Sequence, residues 1–387
     1  MSSYALDQDN TLFAEAMLAQ IGPSRRNDIP TVYTTPESRA EQARRLRLQL
    51  DQLESPNTPA AQSALARDTV ELHKQLPRAV QLGTERLNLG NFAVQQTGAA
   101  GRYAFNLDDH LFVLDGELRT LHANGPGRLR ERPADSVEGG VALTGLEENW
   151  SWELTGEQLA RAAGNELAGG LEINWQPVDR WSLTGGIGRN ERTPDTAESW
   201  WLLGRDREYI GASYTPFSRL TLSAQLQRMS VHSSDGNGLG EGYGTDLTGT
   251  YTVFREDPAM TVTLNYQRQR LDLTDPLPAD VLAELDQPLA PSELLTDEYE
   301  RIGMATRWFH GEPHALYRTT PSPRAFLELG AGYVLSTNTP EVGVGVGLGW
   351  RLTGDDELAL SGRWTSEGLD GNGRADLNLT YTLYLGR

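Results

Sequence analysis

Few side chains in this sequence stand at spacings that support catalysis or metal binding. His310 and His314 are four residues apart, a spacing that ligates zinc on a helix, but Pro313 disfavours a helix there. The sequence has no G-x-S-x-G nucleophile motif, no phosphate-binding loop and no dinucleotide-binding fingerprint. We therefore predict a protein that is not an enzyme, holds no metal and needs no cofactor.

Two Asp-Gly-Asn-Gly segments, at Asp235 and Asp370, resemble the start of a calcium-binding loop. Both lack the remaining oxygen ligands of such a loop. Asp-Gly and Asn-Gly are also typical of tight hairpin turns, and we interpret both segments as turns. The chain contains no cysteine, which excludes disulfides and thiolate metal sites.

The remaining chemistry belongs to carboxylates. The chain has 53 acidic and 34 basic residues and a net charge of -19. This balance disfavours nucleic acid as a partner, because phosphate binding needs a basic surface. It favours a cationic ligand if the acidic residues face a cavity, and the alternative is that they only keep loops soluble.

The elements that position these carboxylates are long strands with a period of two. Residues 341–350 read E-V-G-V-G-V-G-L-G-W, with large apolar residues on one side and mostly glycine on the other. Residues 376–385 repeat the pattern with a polar second side. Many such strands in series indicate a barrel with lipid outside and water inside, which needs only about 10 residues per strand.

We predict an all-β transmembrane barrel of 16 antiparallel strands at residues 87–387. It is preceded by a short α-helical periplasmic segment at residues 1–86, in which 36–54 and 59–76 form a helical hairpin. Met1 leads into a polar stretch without a signal peptide, so a barrel of this kind is expected to be a fragment here. The predicted strands are 88–98, 100–107, 110–122, 136–146, 149–157, 165–176, 179–190, 206–215, 218–231, 241–254, 259–272, 298–309, 324–336, 340–353, 356–367 and 373–386.

Connections and tryptophans support this topology. If the chain enters from the periplasm, links after even-numbered strands should be short, and most are, with 310–323 as the exception. Long links follow odd-numbered strands at 123–135, 191–205, 232–240 and 273–297. An aromatic girdle is predicted at the periplasmic rim. Its members are Trp150, Trp152, Trp175, Trp181, Trp308 and Trp350.

The inward sides of the strands carry more acids than bases, and we predict that these acids line a polymer path. They are Asp115, Glu117, Glu138, Glu153, Glu172, Asp246, Glu357 and Asp376. Arg119, Arg307 and Arg363 share these sides, so the alternative is an ordinary porin wall with balanced charge.

The loop 273–297 is predicted to gate the mouth. The segment from 271 to 300 holds acidic residues and no Lys or Arg, and 278–285 has the spacing of a short helix with Val281, Leu282 and Leu285 on its apolar side. The gate would recognise positive charge, and the alternative is a solvated acidic loop. The acids assigned to the gate are Asp275, Asp280, Glu284, Asp286, Glu293 and Asp297.

The whole arrangement resembles a known family. The stretches L-E-E-N-W-S-W-E-L-T-G-E-Q at 146–158 and W-W-L-L-G-R-D-R-E-Y-I-G-A-S-Y-T-P-F-S-R-L-T-L-S-A-Q-L-Q-R-M at 200–229 are similar to the barrels of PelB-like outer-membrane exopolysaccharide export porins. The resemblance extends over about residues 20–387. The chain departs from outer-membrane barrels in general at its end, which reads Tyr384-Leu-Gly-Arg387 where Phe or Trp is usual.

The resemblance implies a Gram-negative outer-membrane location and export of a biofilm exopolysaccharide, with the N-terminal segment in the periplasm as the tail of helical repeats. It also implies a periplasmic lipoprotein ring and a polysaccharide-modifying enzyme as partners. The acidic lining favours a cationic, partly deacetylated polymer. The alternatives are a general diffusion porin for small cations, or an exporter of poly-N-acetylglucosamine or cellulose.

Overall fold

The computed structural model describes residues 78–385 apart from 90–91, 108–109, 126, 132, 147–148, 179, 194, 218, 255–257, 311–322, 351, 353–355 and 367–372. The predicted helical hairpin, the second half of the His310–His314 motif and the Asp370 turn lie outside the described residues. Among the described residues, no helix has the length and apolar character to cross a membrane.

Sixteen antiparallel strands form a single closed sheet. Each strand pairs with its neighbours in sequence, and the first pairs with the last from Arg78↔Leu385 to Leu89↔Arg374. The strands are β1 Arg78–Leu89, β2 Phe92–Leu107, β3 His110–Ala123, β4 Ser136–Leu146, β5 Trp150–Arg161, β6 Gly164–Val178, β7 Trp181–Arg192, β8 Leu203–Phe217, β9 Leu220–Ser233, β10 Gly238–Phe254, β11 Ala259–Leu273, β12 Glu298–His310, β13 Arg324–Val334, β14 Thr339–Trp350, β15 Asp356–Thr365 and β16 Arg374–Leu385.

Large apolar side chains lie on the outside of this barrel. On β9, Leu222 and Leu226 are exposed while Thr221 and Gln227 are buried, and the other strands alternate in the same way. An apolar outer surface with a polar interior fits a barrel surrounded by lipid. Three members of the predicted girdle, Trp150, Trp175 and Trp181, are exposed at one end of the barrel, where Trp150 is the cross-strand partner of Trp175. Trp152, Trp308 and Trp350 are half-buried.

The connections that follow odd-numbered strands lie at the opposite end and include 124–135, 193–202 and 274–297. We call this the extracellular end because outer-membrane barrels place their long loops there. Three short helices lie in these loops: α1 at Ala197–Leu202, α2 at Ala279–Glu284 and α3 at Pro291–Leu294. The helix predicted within 278–285 is confirmed as α2. The Asp235 segment is confirmed as the β9–β10 turn, with Gly236 at φ +80°.

The first two strands differ from the prediction. The sequence predicts them at 88–98 and 100–107, but β1 ends at Leu89 and β2 begins at Phe92. The barrel therefore begins at Arg78, and residues 78–86 belong to a strand and not to the predicted helical segment. The cause is closure, because β1 completes the hydrogen bonding of β16, a partner almost 300 positions away in sequence.

The close pairing of β10 with β11 leads to a test of the fold. A Cβ atom at Gly242 would overlap the backbone oxygen of Arg270, which cannot move without breaking the sheet. We predict that Gly242→Ala lowers the free energy of unfolding by about 1–3 kcal/mol. Urea unfolding in detergent micelles measures it. Gly116→Ala is the matched control, because nothing lies within 4 Å of the position that its Cβ would take, and equal losses in both variants would contradict the prediction.

Candidate functional site in the lumen and at its mouth

The eight acids predicted for the polymer path all occupy inward positions of their strands. Glu153, for example, alternates with the exposed outward residue Leu154, and Asp246 alternates with the exposed Leu247. Their use by a polymer stays a prediction.

Arginines neutralise several of these acids. Asp115 accepts a hydrogen bond from Nε of Arg102 at 2.8 Å, and Glu357 pairs with Arg324. Glu117 lies 3.3 Å from Arg119. The inward wall is thus a mixed surface of guanidinium and carboxylate groups. The arginines offset part of the negative charge that the inward acids alone would give it.

A buried ionic network centred on Glu138 lies on the wall of β3–β8. The Glu138 carboxylate is 1 % exposed and accepts hydrogen bonds from Nε of Arg119 and the backbone N–H of Ala160, both at 2.8 Å. It also pairs with Arg192. An anion this deeply buried is tolerated only because several charged donors surround it. The network therefore fixes the inner wall at this height.

Two arginines of this wall, Arg192 of the network and Arg161 of β5, hold α1 inside the barrel. Nη1 of Arg192 donates to the Trp200 carbonyl at 2.8 Å, and its guanidinium lies 3.5 Å from the centre of the Trp200 ring. Arg161 donates to the Leu203 carbonyl. These contacts satisfy carbonyl groups that the end of a helix leaves without intrahelical partners. All residues of α1 are buried, so the helix is part of the wall.

Local sequence explains why α1 forms. The Thr196 hydroxyl accepts a hydrogen bond from the Ser199 N–H at 3.1 Å, and the Ser199 hydroxyl accepts one from the Thr196 N–H at 2.9 Å. This reciprocal cap defines the first turn. Trp200 and Trp201 follow and pack edge to face.

The predicted gating loop, 274–297 in the structure, has a buried apolar side and an exposed acidic side. The side chains of the buried side are Leu277, Val281, Leu285, Leu294 and Leu295.

The acids assigned to the gate lie at the surface of this loop or at its edges. Asp275, Asp286, Glu293 and Asp297 are exposed. Asp280 accepts a hydrogen bond from Asn237 at 3.2 Å. Burial alone would raise the pKa of Asp280, but hydrogen bonds from Ser233 and Asn237 lower it. The buried side of the loop is therefore apolar. Recognition of positive charge by the acids on its other side stays a prediction.

The loop 124–135 connects these elements. Leu129 and Leu285 form an antiparallel bridge. Arg128 donates to the Glu293 carbonyl at 2.8 Å and, through its backbone N–H, to Glu198 at 2.9 Å. Burial alone would raise the pKa of Glu198, but the hydrogen bonds from Arg128 hold it below its ordinary value. This tie is therefore intact at neutral pH and is lost only as the pH falls through that lowered pKa.

Together the three loops contribute side chains to one apolar cluster at the extracellular mouth. This cluster contains Leu87 and Val94 of β1 and β2, and also Val231 and Leu239 at the facing ends of β9 and β10. The strand order places these two pairs on opposite sides of the barrel. A continuous cluster that includes both must cross the lumen. We call the loops 124–135, 193–202 and 274–297 together the plug.

Sequence reasoning predicted a long link at 123–135 but missed its contacts at the mouth, and it missed α1 and the residues that hold α1. The available signals were the Trp200-Trp201 doublet, which lies outside the girdle, and the preceding Thr196, which is a good helix cap. No local signal marks Arg192 as a partner of Glu138 or Arg161 as a donor to the Leu203 carbonyl. Within the described part of the chain, no three His, Cys, Asp or Glu side chains are grouped closely enough to hold a metal ion.

The Glu138 network gives a prediction about stability. Glu138→Gln leaves Arg119 and Arg192 buried without their shared anion, and we expect the free energy of unfolding to fall by about 3–5 kcal/mol. Urea unfolding in micelles measures the change. Glu241→Gln, which removes an exposed partner of Arg228, should leave the midpoint unchanged. Similar midpoints for all three proteins would show that the network does not stabilise the barrel.

Comparisons with known proteins agree with this architecture. A bacterial polysaccharide outer membrane secretin is 10% identical, has a TM-score of 0.57, and the match covers 80% of this chain and 99% of that chain. Pseudomonas aeruginosa OccD3 (OpdP) is 11% identical with a TM-score of 0.43, over 80% of this chain and 91% of that chain. No curated protein sequence matches.

Sequence comparison with protein families is more specific. Residues 74–384 match the family described as PelB, C-terminal beta barrel domain, which is more than half of the chain. The protein is accordingly a barrel of the Gram-negative outer membrane. The chain belongs to the family of PelB C-terminal β-barrel domains.

Proposed function

We propose that this barrel exports a cationic, partly deacetylated exopolysaccharide and that loop 274–297 is its gate. The observation that carries the proposal is the plug, whose apolar cluster crosses the extracellular mouth. Membership of the PelB barrel family supports export of a polysaccharide. So does the fold shared with a bacterial polysaccharide outer membrane secretin.

The plug favours an exporter over a diffusion porin. A porin for small cations needs a lumen that is permanently open to water. A wide polymer exporter would leak solutes if it stayed open between rounds of export, so a closed resting state suits it. The same plug must then open when polymer arrives.

The unequal attachment of the plug indicates which element moves. α1 is held by buried arginines of the wall. Loop 274–297 meets the residues at the start of α1 through hydrogen bonds that include those from the Thr196 hydroxyl to the Leu294 carbonyl at 3.0 Å and from the Thr296 N–H to Asp195 at 3.2 Å. Its buried leucines belong to the same apolar cluster as the tryptophans of α1. We infer that α1 stays on the wall while loop 274–297 swings away.

A disulfide can test this movement. Two backbone hydrogen bonds flank the Leu129↔Leu285 bridge, Arg130 N–H to Glu284 O at 2.8 Å and Asp286 N–H to Arg128 O at 3.0 Å. Bridged residues of this type have Cα atoms about 4.5 Å apart, which a disulfide can span. We predict that oxidised Leu129→Cys/Leu285→Cys reduces polymer export about tenfold or more and that a reductant restores it. Secreted exopolysaccharide and channel conductance measure the effect.

The controls separate closure from loss of packing. Each single cysteine variant loses one buried leucine but cannot form the bond, because the natural chain has no cysteine. Both should export in oxidising and reducing conditions alike. Export by a fully cross-linked protein at the natural rate would refute the gate.

The preference for a cationic polymer rests on a pair of inward carboxylates. Glu153 and Glu172 are direct cross-strand partners on β5 and β6. Neutral groups donate to them: the Thr144 hydroxyl to Glu153 at 3.1 Å, and the Asn174 amide to Glu172 at 2.9 Å. Like charges in this arrangement repel each other, and a passing ammonium group would relieve the repulsion.

Charge selectivity tests this preference. In a barrel opened by shortening loop 274–297, we predict that Glu153→Gln/Glu172→Gln lowers the cation-to-anion permeability ratio about threefold, because each carboxylate attracts cations only weakly through water. The reversal potential under a salt gradient measures the ratio. Glu241→Gln on the outer surface is the control. An unchanged ratio in the double variant would remove the basis for a cationic substrate.

The proposal also implies partners on the periplasmic side. A lipoprotein ring and a polysaccharide-modifying enzyme are expected from the resemblance stated above, and they remain predictions.

A further inference from the structure

A row of charged and tyrosine side chains crosses the outer surface of β8–β12 near the extracellular end. Glu208, Arg228, Tyr243, Arg270 and Glu298 are successive cross-strand partners in the sheet. All occupy outward positions. Arg189 extends the row onto β7, where it lies 2.9 Å from Glu208, and Arg268 lies one step below on β11. We call Arg189, Arg228, Arg268 and Arg270 the outer arginines.

The row begins where the lipid-facing surface ends. Ile210 is two residues from Glu208 on β8, and Leu226 is two residues from Arg228 on β9; these apolar side chains are 64% and 58% exposed. Two residues along a strand span about 7 Å. The row is therefore continuous with the apolar outer surface and stands at the level of the lipid headgroups of the outer leaflet.

Three of the outer arginines are only loosely held within the protein. Arg228 lies 3.1 Å from Glu241, Arg268 lies 3.9 Å from Glu298, and Arg270 lies 3.8 Å from Asp272. Both partners are largely exposed in each case. Exposed pairs of this kind contribute little to stability, so the guanidinium groups can turn towards another anion at little cost.

The row is confined to one sector of the barrel. On β14–β16, by contrast, outward positions in the extracellular half include Val342, Trp364 and Leu377, all exposed and uncharged. On β1, across the barrel from the row, the outward Arg86 stands alone between the uncharged partners Leu377 and Gln95. A general adaptation to the membrane surface would place charges around the whole circumference. Charge on one sector indicates a local binding surface.

We propose that this row binds a phosphorylated glycolipid of the outer leaflet. Guanidinium groups bind phosphate oxygens in a bidentate manner, and arginine is suited to this geometry. The carboxylates and the Tyr243 hydroxyl between the arginines can accept hydrogen bonds from sugar hydroxyl groups. The apolar residues below them contact the acyl chains. Alternation of anion-binding and hydroxyl-binding groups matches a headgroup that carries both phosphates and sugars.

The test compares lipid retained by the natural protein with that retained by a variant in which the four outer arginines are Gln. Barrels are extracted in mild detergent from outer membranes containing lipopolysaccharide, and the phosphorylated glycolipid that copurifies is quantified by mass spectrometry. We expect about tenfold less in the variant, since each arginine near an anionic surface adds to binding. Arg86→Gln, an exposed outward arginine of β1, should retain the natural amount.

A second measurement keeps the test decisive if the variant assembles poorly in cells. Natural and variant barrels are refolded in micelles, folding is checked by heat-modifiable migration in gels, and lipid A is titrated against its dephosphorylated form. Saturable binding of the phosphorylated form by the natural barrel alone supports the proposal. Equal retention by the variant, equal binding of both lipid forms, or displacement of the lipid by inorganic phosphate would overturn it, leaving the row as solvent-exposed charge or a plain anion site.

Discussion

Closure of the sheet is the constraint on which the rest of the structure depends. A strand in lipid has no water to satisfy its backbone groups, so every N–H and C=O must find a partner in a neighbouring strand. The pairing of β1 with β16 removes the last free edge. Once the sheet is closed, each side chain has one of two environments, and the alternation along the strand decides which. The exposed Leu226 and the buried Gln227 illustrate the division.

That division explains why the sequence was informative about most of the barrel and misleading at its start. The alternation of 341–350 needs no knowledge of neighbouring strands, because two environments are visible in one segment. On β1 only Val80 and Leu82 are large, apolar and exposed, and Thr84 and Arg86 continue the outward side. Pairing with β16 stabilises β1 in spite of this weak local pattern. The sequence near residue 78 gives no signal that β16 is its partner.

The plug shows a similar limit at longer range. The helical spacing of Val281 and Leu285 was enough to predict α2 and its apolar side. The partner of Leu285 is Leu129 of loop 124–135. Many strands separate these two loops along the chain. Convergence of three loops depends on the barrel having closed first. The sequence therefore indicated a structured loop at the mouth but not the apolar cluster that fills it.

The charges inside the lumen depend on register, and register can be derived from sequence only across tight turns. The short link at 108–109 places Asp115 opposite Arg102 if β2 and β3 simply fold back on each other, and the structure has this pairing. Glu138 is opposite Arg119, but the long loop 124–135 leaves that register open from the sequence alone. Arg192 reaches the same carboxylate from β7.

Since Lys74 is the only lysine, every permanently charged basic side chain of the described wall is an arginine, which can hold a carboxylate in this way. An inward acid is consequently part of the scaffold where an arginine faces it. The acids proposed to meet a passing polymer, Glu153 and Glu172, accept hydrogen bonds from the neutral donors Thr144 and Asn174.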